Sequence, residues 1–329
     1  MALADTLAAA WYGKGTAPWW TAPLAALYGS VTRLRRRLYR AGWLSSVKLP
    51  VPVVVVGNVS VGGTGKTPLT IALAEALRAR GLRPGVVSRG YGGSEQGPIL
   101  LGERPEPARF GDEPCLIHAA GTPVAVGRDR PAAARLLLEA GCDVILADDG
   151  LQHYRLRRDV EICVIDDARR FGNRRLLPAG PLREPLSRLD DVDFRVCNGG
   201  SAEAGEVPMR LEGGTARALR DGGTQPLDAF RGQRVHALAG IGHPERFFDD
   251  LRAYGIEVVP HPFPDHHACA PGELDFGDGA PVLMTEKDAV KCAAFAPPHA
   301  WAVPVRAVLP EAFFDAVAAK VAAARRVSG

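Results

Sequence analysis

The sequence predicts an α/β protein with a P-loop NTPase-type parallel sheet as its core and a second, smaller α/β lobe. The first observation is a glycine-rich segment between a β-branched run and an amphipathic stretch. The second is the alternation of strand-like and helix-like runs on both sides of a Pro/Gly-rich region at 177–185. Such alternation builds parallel sheets that are covered on both faces, with ligands at the carboxyl ends of the strands.

Length and composition limit the class of protein. The chain has 329 residues, of which 47% are hydrophobic and 23% are charged. These values are typical of one large or two smaller globular domains and exclude a disordered tail. The six cysteines share no C-x-x-C spacing, so we expect neither disulfides nor a zinc ribbon. We therefore expect the protein to reside in the reducing cytosol.

Residues 1–48 form a basic, aromatic extension. Seven basic residues and one acidic residue give this segment a net charge of +6, which leaves −3 for the rest of the chain. Its apolar stretch at 17–32 is too short to span a bilayer and contains Pro18 and Pro23. Interleaved aromatic residues and arginines favour a helix in the membrane interface. The alternative is a helix that packs its aromatic rings on the protein; nucleic acid is not an expected partner, because no recognition module is present.

The glycine-rich segment is predicted to bind ATP. The run 51–56 is typical of a buried parallel strand, and 69–80 is typical of a helix, which Gly81 ends. Glycines allow backbone N–H groups to point at phosphate oxygens, and the N-terminus of the helix favours negative charge. Lys66 would reach the β- and γ-phosphates, and Thr67 would ligate Mg²⁺. The predicted nucleotide-binding residues are Ser60, Val61, Gly62, Gly63, Thr64, Gly65, Lys66 and Thr67, with serine where the general motif has its first glycine.

Carboxylates follow a later buried strand at 143–148. This strand ends in Asp148-Asp149, where a P-loop enzyme places the carboxylate that holds magnesium. Two aspartates that cap a surface turn are the alternative, and the P-loop favours the metal. The same patterns predict strands at 83–88, 122–126, 235–239, 256–259 and 282–285, and helices at 128–140 and 245–254.

A kinase also needs a base for its acceptor hydroxyl. Asp112 and Glu113 lie between a glycine and a proline, which favours an exposed turn. Asp265, His266 and His267 follow in a proline-bracketed segment of the second region. The residue types alone explain both segments more simply as solvated loops, and the lack of further ligands at helical spacing disfavours zinc.

These segments together resemble the tetraacyldisaccharide 4′-kinase family, the lipid A 4′-kinases of Gram-negative bacteria. The resemblance covers nearly the whole chain, and the loop with Ser60 is similar to that of the family. The segments that carry it are the Trp/Arg-rich start, Gly57-Asn58, 60–68, Ser88-Arg-Gly-Tyr91, Gly111-Asp-Glu-Pro114, Asp148-Asp-Gly-Leu-Gln-His153, 177–185, Phe263-Pro-Asp-His266 and Met284-Thr-Glu-Lys-Asp288.

The resemblance implies transfer of the γ-phosphoryl group of ATP to the 4′-hydroxyl of tetraacyldisaccharide 1-phosphate. It implies a peripheral enzyme at the cytoplasmic face of the inner membrane, with Mg²⁺ as its metal. By position, Asp112 matches the base of the family and His266 the histidine that pairs with it. The catalytic residues expected on this ground are Asp112, His266, Lys66, Asp148, Arg183 and Glu184, and the expected metal ligands are Thr67 and Asp149.

The resemblance also implies two lobes that are joined by a short hinge. We expect the extension at 1–48 to pack on a core lobe at 49–160, which the C-terminal helix at 309–329 rejoins, and a smaller lobe at 161–308. A monomer is expected. The stretch His267-Ala268-Cys269 departs from the aromatic-containing pattern of the family.

Two other functions stay open from the residues alone. A membrane-associated P-loop ATPase switch would use the same loop, carboxylates and extension, with water as acceptor and a dimer that buries the nucleotide. A soluble small-molecule kinase would use the same chemistry but would leave the extension without a role.

Overall fold

The computed structural model describes residues 3–13, 15–265, 267 and 269–328. Its helices are α1 (Leu3–Trp11), α2 (Thr21–Arg40), α3 (Lys66–Ala79), α4 (Pro107–Phe110), α5 (Asp112–Ala119), α6 (Arg130–Glu139), α7 (Pro244–Ala253), α8 (Glu286–Cys292) and α9 (Glu311–Ser328). Its strands are β1 (Val53–Gly57), β2 (Pro84–Ser88), β3 (Ile99–Leu100), β4 (Val124–Val126), β5 (Val144–Asp148), β6 (Val160–Asp166), β7 (Phe194–Asn198), β8 (Glu206–Glu212), β9 (Thr215–Ala218), β10 (Thr224–Pro226), β11 (Arg234–Ala239), β12 (Glu257–Pro262), β13 (Val282–Thr285), β14 (Ala300–Val303) and β15 (Arg306–Val308).

The larger sheet has the strand order β15-β8-β7-β6-β1-β5-β2-β4-β3. Its neighbours pair in parallel except at the two edges, where β15 and β3 run antiparallel. Alternate residues of β1 enter different cores: Val54 and Val56 pack beneath α3 and α9, while Val53 and Val55 face α6. The predicted α/β class with a parallel core sheet is confirmed.

The smaller sheet has the order β10-β9-β14-β13-β11-β12. The four strands β11 to β14 are parallel, and β9 and β10 add an antiparallel edge. Helix α7, predicted at 245–254, begins with Pro244 at its first position and packs on β11 and β12.

The boundary between the lobes differs from the predicted one. Strands β6, β7 and β8 all follow residue 160 in the chain but belong to the larger sheet. The Pro/Gly-rich region 177–185 folds back onto the P-loop, since Ser60 pairs with Leu182 and Val61 N–H donates to the carbonyl of Pro181 at 2.9 Å. This region therefore belongs to the larger lobe and supports the P-loop. The strands of the smaller sheet lie within residues 215–303.

The two ends of the chain both pack on the larger lobe. Helix α9 buries Phe313, Phe314 and Val317 in the core above α3. Helix α2 lies on the 174–191 region, where the Tyr28 hydroxyl donates to the carbonyl of Arg183 at 3.0 Å. None of the described helices combines the length and the apolar character of a bilayer-spanning segment.

Candidate active site

The P-loop joins the end of β1 to the start of α3, at the carboxyl edge of the larger sheet. Gly62 and Gly65 have φ values of 99° and 92°, a region that side chains rarely adopt. A Cβ atom at Gly65 would lie 2.6 Å from Nδ2 of Asn198. The loop therefore requires glycine for both its backbone conformation and its packing.

The buried side-chain amides of Asn58 and Asn198 contact backbone carbonyl groups of this loop. Asn58 Nδ2 lies 3.3 Å from both the Gly62 carbonyl and Thr64 Oγ1. Asn198 Nδ2, at the end of β7, donates to the Thr64 carbonyl at 3.1 Å. These contacts attach the loop to β7 and to the segment directly after β1.

Asp149 and two cations form the charged centre beside the P-loop. Arg183 Nη1 lies 3.0 Å from both carboxylate oxygens of Asp149, and Lys66 Nζ lies 3.7 Å from Oδ1. Burial alone would raise the pKa of Asp149, but Lys66 and Arg183 hold it well below its ordinary value. Asp149 is thus ionised next to the residues predicted to bind ATP.

Asp148 occupies a different environment from its neighbour. It is fully buried, and its Oδ1 accepts a hydrogen bond from Thr70 Oγ1 at 3.2 Å. Burial, together with the nearby Glu113 and Asp149, raises its pKa. Its Oδ2 has no hydrogen-bond partner among the described residues. Asp148 therefore faces the first turns of α3, while Asp149 faces the cations.

The oxygen donors at this edge are of the kind that magnesium binds. Mg²⁺ prefers oxygen ligands and is usually held by one or two carboxylates together with phosphate oxygens and water. The Thr67 hydroxyl at the start of α3, the Asp149 carboxylate and the buried Oδ2 of Asp148 are oxygens of this kind. Thr67 and Asp149 are the residues that would hold the ion.

Arg183 and Glu184, both predicted to be catalytic residues, contact different partners. Arg183 binds Asp149, whereas the buried Glu184 accepts hydrogen bonds from Gln152 Nε2 at 3.1 Å and from the Tyr154 hydroxyl. Gln152 Nε2 also donates to the Asn58 carbonyl at 3.0 Å. Glu184 thus supports the loop through Gln152 and Asn58.

Asp112 is the first residue of α5 and is only 8% exposed, so the exposed turn expected from its neighbours is wrong. The preceding Gly111 has φ 91°, and a Cβ there would lie 2.5 Å from the carbonyl oxygen of Tyr91. Helix α8 of the smaller sheet packs against α5. Helix α8 therefore contacts α5, the helix whose start the glycine–proline context predicts to be exposed to solvent.

The proline-bracketed segment that contains Asp265 is linked to α5 through Lys287. Lys287 Nζ on α8 lies 2.9 Å from Asp265 Oδ1 and 3.4 Å from Glu113 Oε1. His266 lies outside the described residues, but Asp265 and His267 beside it in the sequence are described. The structure therefore brings the residue next to His266 to the helix that begins with Asp112.

Two further arginines, Arg130 and Arg169, lie at the site and are not predicted from the sequence. Arg130, at the start of α6, is buried near the acid pair; burial lowers its pKa although Asp149 and Asp148 oppose that shift. Arg169 donates to the Gly63 carbonyl and lies 3.4 Å from the Gly242 carbonyl in the turn before α7. The position of Arg130 just beyond the carboxyl end of β4 is a signal that could have found it, whereas nothing local marks Arg169.

Comparisons with known proteins agree with this geometry. Residues 17–322 match the family model described as tetraacyldisaccharide-1-P 4′-kinase. A tetraacyldisaccharide 4′-kinase of Stenotrophomonas maltophilia (strain R551-3) is 57% identical over 318 residues, which cover 93% of this chain and 94% of the relative. One of Azoarcus sp. (strain BH72) is 55% identical, with 90% of each chain covered. A crystal structure of LpxK from Aquifex aeolicus, described as an "apo" form in complex with ATP, has a TM-score of 0.76 and 30% identity, and the match covers 91% of this chain and 98% of that one.

Proposed function

Since the chain belongs to the tetraacyldisaccharide 4′-kinase family, we propose that it transfers the γ-phosphoryl group of ATP to the 4′-hydroxyl of tetraacyldisaccharide 1-phosphate in lipid A biosynthesis. The observation that carries the proposal is the convergence of Lys66, Asp149 and Arg183 beside the P-loop. Phosphoryl transfer depends mainly on positioning and on neutralisation of charge, and these residues supply both.

Residues 60–67 bind the phosphates of ATP in this proposal. Lys66 contacts the β- and γ-phosphates, and Arg183 steadies the γ-phosphate from the other side of Asp149. Thr67 and Asp149 hold Mg²⁺, which when bound neutralises charge on the phosphates. The contacts of Lys66 and Arg183 with Asp149 keep these three side chains together before nucleotide binds.

Asp112 acts as the general base. Its carboxylate accepts the proton of the 4′-hydroxyl as that oxygen attacks the γ-phosphorus, and His266 pairs with it. The bond from the γ-phosphorus to the bridging oxygen of the β-phosphate breaks, and ADP leaves. The support is that Asp112 begins α5 and is nearly buried, and that α8 of the smaller sheet packs against α5. Asp148 and Glu184 act indirectly, by supporting α3 and the loop around Asn58.

The outer face of α2 binds the cytoplasmic face of the inner membrane. Leu24, Leu27, Val31 and Leu34 recur at helical spacing and are exposed, and Trp19 precedes them with 86% of its surface accessible. Arginines lie along the same helix, as is typical of helices in the interface of anionic bilayers. Both halves of the cleft come from one chain, so a monomer is sufficient for the proposed reaction.

The experiment follows the labelled γ-phosphate of ATP in mixed micelles that contain the disaccharide lipid. We expect the label in the lipid fraction, on the 4′-oxygen, and a requirement for the lipid in ATP consumption. Release of the label only as inorganic phosphate, at a rate independent of lipid, would favour the ATPase switch and contradict the proposal. Phosphorylation of small soluble alcohols alone would favour the soluble kinase.

A further inference from the structure

Helix α8 lies where the smaller sheet meets the helix that begins with Asp112. Its Lys287 is only 14% exposed at the side chain and contacts two carboxylates from distant parts of the chain. Glu113 belongs to the larger lobe, and Asp265 belongs to the segment after β12. Lys287 is therefore an ionic link between the two halves of the cleft.

Acidic groups surround this ammonium group. Burial by itself would lower the pKa of Lys287, but Glu113, Asp265 and Asp112 together raise it. Lys287 is consequently charged at neutral pH. Its charge offsets the repulsion among three carboxylates that would otherwise face one another in a partly desolvated space.

The same face of α8 holds the segment after β12 at a second point. Lys291, one turn after Lys287, donates to the carbonyl of His267 at 3.0 Å and pairs with Asp288 at 2.7 Å. Residues on both sides of position 266 in the sequence are thus attached to α8.

We infer that Lys287 is a positioning residue for phosphoryl transfer, an inference that rests on the proposed function. It holds Asp265, and with it the segment that carries His266, against the start of α5, so that the smaller lobe meets Asp112. Lys287 touches neither the nucleotide nor the acceptor in this account. It acts through Asp265 and Glu113, and its loss frees Asp265 from this ion pair while Lys291 still holds the carbonyl of His267.

The test compares Lys287→Met, Lys287→Arg and Lys320→Met in the full-length enzyme with the disaccharide lipid and ATP. Lys320 is the matched control because its ion pair with Asp193, at 2.8 Å, lies on α9 away from the cleft. We expect Lys287→Met to lower kcat about 10- to 100-fold, while the KM for ATP changes less than about threefold. Lys287→Arg should recover most of kcat, and Lys320→Met should match the wild type.

A double-variant cycle with Asp265→Asn tests the route of the effect. If Lys287 acts through Asp265, the double variant should lose little more than the stronger of the two single variants. Multiplicative losses would overturn the inference, as would Lys287→Met activity within about twofold of the wild type. If Lys287→Met fails to fold, the cycle is run with Lys287→Gln, and failure of both to fold would assign Lys287 a structural role and overturn the inference. A wild-type enzyme that cannot phosphorylate the lipid would instead overturn the proposed function, on which the inference depends.

Discussion

The two halves of the cleft are built in different ways. On the larger lobe, the P-loop and Asp149 follow adjacent parallel strands, β1 and β5, whose pairing fixes the backbone at both places. On the smaller lobe, Asp265 lies in a segment after β12 and forms an ion pair with Lys287. The phosphate-binding half is thus set mainly by the main chain, and the acceptor half mainly by side-chain charges.

The two halves of the cleft should therefore be sensitive to different substitutions. A main-chain site tolerates the loss of one ion pair but not a side chain where the backbone needs glycine. A site held by charges tolerates small changes of shape but not the loss of a charge in a partly buried space. Variants in the two halves should therefore fail in different measurements.

The largest effect is expected at Asp112. Asp112→Asn keeps the size of the side chain but cannot accept the proton, so kcat for lipid phosphorylation should fall about 10²- to 10⁴-fold. Nucleotide affinity should stay close to that of the wild type, because the P-loop half is untouched. Asp315→Asn, on the exposed face of α9, is the control and should be fully active. Turnover by Asp112→Asn within about tenfold of the wild type would remove Asp112 as the base.

A second prediction concerns Gly65 in the P-loop. Gly65→Ala forces a side chain into a left-handed conformation and toward Asn198, so ATP affinity should weaken about 10- to 100-fold. Gly81→Ala is the matched control, since Gly81 has a similar φ of 81° but open space around it. It should lower the free energy of unfolding by about 1 kcal/mol and leave ATP affinity unchanged. Equal ATP affinities for the two variants would show that the close packing of the loop is irrelevant.

The third prediction uses pH. Burial, with Arg130 and Arg158 nearby, lowers the pKa of His153 from 6.5 to about 4. The folded state therefore resists protonation, and the free energy of unfolding falls as the pH drops from about 6.5 toward about 4. Between about pH 7.5 and about pH 4.5, the wild type should lose about 2 kcal/mol more than His153→Gln in denaturant titrations. Parallel losses in both proteins would contradict this assignment.

The smallest effect concerns the outer face of α2. Leu27→Ser with Leu34→Ser removes two side chains that are 63% and 58% exposed, so binding to phosphatidylglycerol-containing vesicles should weaken about fivefold to tenfold. Val305→Ser with Val308→Ser removes exposed apolar groups elsewhere and should leave vesicle binding unchanged. Equal vesicle binding by both double variants would count against α2 as the membrane contact.

The sequence predicts the main-chain half of the cleft better than the charged half. The glycines at 62 and 65 and the aspartates after β5 are local signals, because strand, turn and helix follow one another directly in the chain. Lys287 and Glu113 are 174 residues apart, and Asn198 meets Thr64 across 134 residues. Contacts between residues so far apart in the chain leave no local sequence pattern from which they could be predicted.

Two errors have the same origin. Asp112 is buried where an exposed turn is expected, and α8, which comes much later in the chain, packs against the helix that Asp112 begins. The predicted boundary at 160 falls inside the larger sheet because the proline and glycine residues at 177–185 pack on the P-loop instead of linking two lobes. In both places, tertiary packing decides what a glycine–proline context does.

The most direct test is a crystal structure of the enzyme with the disaccharide lipid and a non-hydrolysable ATP analogue. We expect the γ-phosphate at Lys66 and the 4′-oxygen of the lipid at about 2.6–3.2 Å from a carboxylate oxygen of Asp112. A 4′-oxygen that meets another base, or that lies out of reach of Asp112 with both ligands bound, would contradict this expectation.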